Sequence, residues 1–72
     1  MTNLITEKLK VDSSAIKYMV YNYDLSTLKV KFNYGGEYTY FKVSTDEFIS
    51  MKYAPSIGKH FNEKVKAKYE FI

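Results

Sequence analysis

The sequence contains no cysteine and no arginine, a single histidine, a single proline and no long apolar run. Without cysteine there is neither a disulfide framework nor a thiolate metal site, which fits a reducing, cytoplasmic setting. Without arginine there is no guanidinium fork for bidentate recognition of guanine or phosphate. All eleven cations are lysines, which meet phosphates as point charges. No stretch approaches the ~18 apolar residues of a membrane span. Leu4-Ile5 is too short for the apolar region of a signal peptide, so no membrane partner is expected. His60 has no second histidine and no cysteine to complete a metal set, and its neighbours Lys59 and Glu63 suit a solvated helix face. Ser13, Ser14 and Ser56 have no histidine in a recognised nucleophile spacing. Gly35-Gly36 precedes no helix N-terminus and is not a phosphate loop. No catalytic residue, metal or cofactor is therefore expected, and the chain reads as non-enzymatic.

What the chain does have is aromatic residues, 18% of its 72 positions, and lysine. A chain of this length forms one domain and buries only about 60–65% of its unfolded surface. The aromatics, each burying a large area, must supply the core. A net charge of +3 and a pI near 9.1 favour acidic partners such as nucleic acid. The same lysine-rich, tyrosine-rich composition also follows from A+T-rich coding.

The strongest pattern is Leu28–Val43, two Val-, Phe-, Tyr- and Thr-rich runs flanking Gly35-Gly36. A two-residue type I′ turn at the glycines predicts a hairpin in which Tyr34 faces Glu37, Phe32 faces Thr39, Val30 faces Phe41 and Leu28 faces Val43. That register puts Leu28, Val30, Phe32, Phe41 and Val43 on a core face, and Lys29, Lys31, Asn33, Tyr38, Tyr40 and Lys42 on the other. An earlier strand, Ile16–Tyr23, turns back through Asp24–Thr27. A four-residue loop there predicts Tyr21 opposite Val30 and Met19 opposite Phe32, with Tyr18, Val20 and Asn22 joining the lysine–tyrosine face. Upstream, Leu4, Ile5, Leu9 and Val11 have the spacing of one or two helical turns, so residues 1–10 read as a frayed or docked extension of a domain spanning 11–72.

After Val43 the period changes. Ser44-Thr45-Asp46-Glu47 is a capping box, and Val43 and Phe48 stand at the positions of a hydrophobic staple. A helix is predicted from Thr45 to about Ala54, ended by Pro55. Ile57, Phe61 and Val65 form one stripe of a second short helix, with Gly58 in its first turn marking a close contact or a loop. Ala67, Tyr69 and Phe71 alternate with Lys66, Lys68 and Glu70 as a final extended segment. The predicted fold is α+β: a three-stranded antiparallel meander with two short helices on one face, and room for an extra terminal strand.

On this reading Tyr38, Tyr40 and Tyr18 are rings for stacking bases and Lys29, Lys31 and Lys42 are phosphate contacts, a surface for single-stranded RNA or other nucleic acid. The same aromatic face also suits a protein partner or a second copy of the chain, as an interaction or inhibitory module. Coverage by a terminal segment would instead leave the tyrosines half-buried. Lys52, Lys59, Lys64, Lys66 and Lys68 form a second basic cluster.

Val11-Asp12-Ser13-Ser14-Ala15-Ile16, the Tyr21–Tyr23 strand, Leu28-x-Val30-x-Phe32, Gly36-x-Tyr38-x-Tyr40 and Val43 resemble the KTSC domain. Ser56-x-Gly58-x-x-Phe61-Asn62, Val65 and Tyr69 continue the resemblance over roughly residues 11–70. That family is named after the C-terminus of certain lysyl-tRNA synthetases and also occurs as small bacterial and phage proteins. The resemblance implies no catalytic residue. RNA binding has been suggested for the family, and Tyr38, Tyr40, Ser56, Gly58, Phe61 and Asn62 carry over as pattern positions without assigned chemistry.

Overall fold

A computed structural model describes residues 5–11 and 13–72. Four strands, β1 (Thr6–Lys10), β2 (Ile16–Asn22), β3 (Thr27–Phe32) and β4 (Glu37–Tyr40), form an antiparallel sheet in the order β1-β2-β3-β4. Two helices follow, α1 (Thr45–Lys52) and α2 (Ile57–His60), and α2 runs on into a π-helical segment, Phe61–Lys66. The chain ends alongside β4: Tyr40 bridges Phe71, and Thr39 and Ile72 exchange backbone hydrogen bonds of 2.9 and 3.1 Å. The α+β meander with helices is thus present, extended by strand β1 at one edge and by an isolated bridge of the C-terminal residues at the other.

The expected helical turn before residue 11 is instead strand β1, whose Glu7 pairs with Tyr21 and Leu9 with Met19. Thr6-Glu7-Lys8-Leu9-Lys10 alternates in burial, and pairing with β2 satisfies a backbone too short to hold a helix alone. Leu4 and Asp12 lie outside the described residues.

The turn between β2 and β3 has four residues, Tyr23–Ser26, one position earlier than the predicted loop. Asn22 drives the shift: its side-chain oxygen accepts the Asp24 and Leu25 amides at 2.9 Å each and starts the turn. Ser26 closes it at φ 56°. Tyr21 therefore faces Leu28 and Met19 faces Val30, a slip of two residues that leaves Tyr18, Met19, Val20, Tyr21 and Asn22 on their expected faces.

The slip in the next hairpin is odd, with larger consequences. Its loop is Asn33-Tyr34-Gly35, closed by Phe32 and Gly36: the Gly35 amide donates to the Phe32 carbonyl at 3.0 Å, and the Phe32 amide to the Gly36 carbonyl at 2.8 Å. Of the two glycines only Gly35 has a positive φ, 109°, as the bulge position of a three-residue loop requires. Gly36 serves another need, since a Cβ there would stand 2.6 Å from the Tyr34 ring. Leu28 consequently pairs with Tyr40, Val30 with Tyr38 and Lys31 with Glu37. The register differs from the predicted one by three residues, and β4 is turned over: Tyr38 and Tyr40 lie on the core face.

Ser44 caps α1 as expected, its hydroxyl accepting the Glu47 amide at 3.1 Å, and Val43 and Phe48 are both buried. Ile16, Met19, Tyr21, Leu28, Val30 and Tyr40 from the sheet meet Phe48, Met51, Phe61 and Val65 from the helices in one core. Tyr21 is its pivot. Its ring stacks on Phe48 at 4.4 Å between centroids, and its hydroxyl donates to the Val43 carbonyl at 2.6 Å.

Candidate functional site

Because the helices cover one face of the sheet, alternation along the strands leaves the other open among the described residues. The register aligns residues there in cross-strand rows, Lys10–Tyr18–Lys31–Glu37 and Lys8–Val20–Lys29–Thr39. Lys29, Lys31 and Tyr18 were expected on this face. Lys8 and Lys10 were not, although the alternation of residues 6–10 carried the signal. The irregularity between Ile16 and Tyr18 leaves Lys17 beside Lys8, Lys10 and Tyr18 around a shallow depression. The Lys8 ammonium stands 4.4 Å from the Tyr18 ring centroid. Glu37 is the single carboxylate in these rows, and Lys8, Lys10, Lys29 and Lys31 make no ion pair among the described residues. Lys31 donates to the Gly35 carbonyl at 2.9 Å. Like charges two strands apart, about 10 Å at the usual strand spacing, repel one another.

Tyr38 and Tyr40, expected beside these lysines, are on the opposite side of the sheet. They line a groove of about 490 Å³ between the hairpin tip and the π-helical segment, together with Phe32, Tyr34, Asn62 and Lys66. Tyr34 stacks on Phe32 at 5.4 Å, and Phe71 packs against Tyr38 and Tyr40 at 5.3 and 5.2 Å. The Tyr34 hydroxyl meets that of Tyr38 at 3.4 Å. Burial, and then Tyr38, raise the Tyr40 phenol above its ordinary value. Lys42, expected on the tyrosine face, follows β4 at φ 57° and lies near Tyr69 and Glu70.

The expected second basic cluster is divided among separate contacts. Lys52 pairs with Glu7, which also accepts the Tyr23 hydroxyl at 2.6 Å, so this trio ties β1 and β2 to α1. Lys68 lies 3.9 Å from Glu47, Lys66 lines the groove, and Lys64 and Lys59 are exposed. His60 is not on a solvated face. Its Nε2 is 2.8 Å from a Glu47 carboxylate oxygen, with each side chain only about one-sixth exposed (17% and 16%). The carboxylate that a capping box would turn back to Ser44 is used to join α1 to α2. Among the described residues no group of three or more acidic or histidine side chains is gathered for a metal. No helix among them is long and apolar enough to cross a membrane.

The KTSC domain model matches residues 12–69. The chain belongs to the KTSC domain family. A lysine–tRNA ligase of Nostoc punctiforme is 40% identical over 63 residues, covering 88% of this chain and 11% of that protein. One from Trichormus variabilis is 35% identical over the same shares. The chain thus spans about a tenth of the length of these relatives. A crystal structure of a KTSC domain protein from Yersinia pestis superposes with a TM-score of 0.84 at 27% identity, covering 93% of this chain and 94% of that one.

The KTSC pattern positions separate into two groups in this fold. Ser56 caps α2 by accepting the Lys59 amide at 3.2 Å. Gly58 admits Ser13, whose hydroxyl oxygen would stand 3.2 Å from a Cβ there. Phe61 is buried edge-on to Tyr40 at 5.3 Å. These three build the fold. Tyr38, Tyr40 and Asn62 converge on the groove.

Proposed function

We propose that this KTSC domain is a non-enzymatic binding module that takes single-stranded nucleic acid, RNA first, on the open face of its sheet. Lys8, Lys10, Lys29 and Lys31 meet phosphates, Lys17 adds charge at the rim, and Tyr18 offers a ring for one base. The observation carrying this reading is the pair of cross-strand rows holding four lysines against one carboxylate, without ion pairs among the described residues. The ladder fixes the backbone positions in such rows, so the four lysines start from regular places on one face of the sheet. The Nostoc and Trichormus relatives are named for ligation to tRNA, which supports RNA ahead of DNA as the ligand.

The test is a fluorescence-anisotropy titration of a labelled single-stranded RNA pool with the wild-type chain and with a variant carrying Lys8, Lys10, Lys29 and Lys31→Gln. The reading expects binding at low salt that the variant loses. Equal binding by the two proteins, or none by the wild type, overturns it.

A further inference from the structure

The aromatic groove is on the far side of the sheet from the lysine rows, and the open-face reading makes no use of it. Its walls are rings: Phe32 below, Tyr34 and Tyr38 at the side, Phe71 across. Tyr34 is 72% exposed, with its ring stacked on Phe32 and lying beside Gly36 and its hydroxyl at that of Tyr38. Three polar groups reach the same space without an internal partner among the described residues. One is the hydroxyl of Tyr40, which makes no internal hydrogen bond and, since no buried side-chain polar atom is left unpartnered among the described residues, is the part of this largely buried residue that reaches solvent. The others are the Asn62 amide and the Lys66 ammonium, both on the π-helical segment. Among the described residues no carboxylate lines the groove, and Lys66 brings a positive charge to it.

Rings select a flat apolar surface, an amide reads a polar edge, and an ammonium at the rim selects an anion. Those three demands together describe a nucleotide: a planar base, polar at its edge, carrying a phosphate. The volume of about 490 Å³ lies within the ~300–1,000 Å³ common for small-molecule sites.

We infer that the groove between the hairpin tip and the π-helical segment is a nucleotide site, in which Tyr34 and Tyr38 hold the base, Tyr40 and Asn62 bond its edge, and Lys66 meets the phosphate. The site stands without the open-face reading, and its occupant is either a free mononucleotide or one unstacked unit of a strand.

The probes are adenosine 5′-monophosphate, adenosine, inorganic phosphate and a short oligo(A), followed by two-dimensional NMR on the full chain. Adenosine monophosphate should shift the signals of Tyr34, Tyr38, Asn62 and Lys66. Tyr34→Ala, at an exposed position that leaves the core intact, should weaken that binding about tenfold, within the range of one base–aromatic stack. Tyr40→Phe keeps the ring and should weaken binding without lowering the melting temperature. Lys66→Gln should bring the monophosphate to the affinity of adenosine. The variant with Lys8, Lys10, Lys29 and Lys31→Gln should bind the monophosphate as the wild type does, whatever it does to RNA. Tighter entry of oligo(A) than of the monophosphate assigns the site to a strand, and exclusion of oligo(A) assigns it to a free nucleotide. The inference is overturned if phosphate alone reproduces the monophosphate shifts, or if the groove signals do not respond. It is equally overturned if Tyr34→Ala leaves the affinity unchanged.

Discussion

Replacing Tyr21 with Phe removes one oxygen atom from the centre of the molecule and leaves everything else available. The ring keeps its stack on Phe48 and its edge contact with Tyr23 at 5.0 Å. What is lost is the 2.6 Å hydrogen bond to the Val43 carbonyl, buried at the junction where β4 ends and α1 begins. A net hydrogen bond contributes about 0.5–1.5 kcal/mol, but removing one partner leaves a buried carbonyl unsatisfied, at about 1–3 kcal/mol. The Thr45 hydroxyl, 3.4 Å from the Tyr21 oxygen, loses a neighbour too. The expected cost is therefore about 2 kcal/mol, toward the middle of that range. In a domain of this size about 1 kcal/mol shifts the melting temperature by about 4–8 °C, so Tyr21→Phe should lower it by roughly 8–16 °C. Circular dichroism on heating, with urea unfolding to establish that the slope is unchanged, measures it. A shift within a degree or two of zero would mean that the hydroxyl does not join β2 to the strand–helix junction, and the account of the core would fail there.

Three further outcomes follow from the same structure. Ser44→Ala should cost about 1 kcal/mol through the lost cap, while Ser50→Ala, exposed within α1, should cost little; equal losses by urea unfolding would contradict the cap. Gly35→Ala, at φ 109°, should cost about 1–2 kcal/mol, and more than Gly36→Ala, whose Cβ meets only the exposed Tyr34 ring, which is free to swing aside; the reverse order would restore a two-residue turn. The Lys52 ammonium, and then the Tyr23 hydroxyl, hold the Glu7 carboxyl below its ordinary value. A lowered folded pKa contributes stability that is fully present above the unfolded value of about 4.3 and is lost as pH falls through the folded one. Melting temperature should thus fall less steeply below about pH 4.3 in Glu7→Gln than in the wild type, and parallel profiles would refute the linkage.

Local chemistry was legible in the sequence. Ser44 before an acidic first turn, Pro55 after the helix and the apolar stripe Ile57, Phe61, Val65 each act over a few residues, and each stands where it was expected. The faces of β2 and β3 were also legible, because a slip of two residues preserves alternation. The fate of Tyr38 and Tyr40 was not. It depended on which of two adjacent glycines takes the positive φ: Gly35 does, closing a three-residue loop that a glycine pair alone does not distinguish from a two-residue turn. An odd slip then moved both tyrosines from the lysine face into the core and the groove. Strand β1 was hidden because five residues carry too weak a period to oppose a helical spacing that includes Leu4 and Ile5. The His60–Glu47 pair was hidden because it joins two helices whose approach is decided by packing.

The central claim is that nucleic acid binds the lysine rows of the open face, and the salt dependence of RNA binding tests it most directly. Each phosphate contact on a single strand contributes about −0.7 to the slope of log affinity against log salt, so four lysines engaged give about −2.8. Wild-type protein should show a slope of that order, Lys29→Gln with Lys31→Gln should flatten it by about 1.4, and Tyr18→Ala should weaken binding with the slope unchanged. A wild-type slope near zero, or one that the lysine replacements leave untouched, would contradict the account.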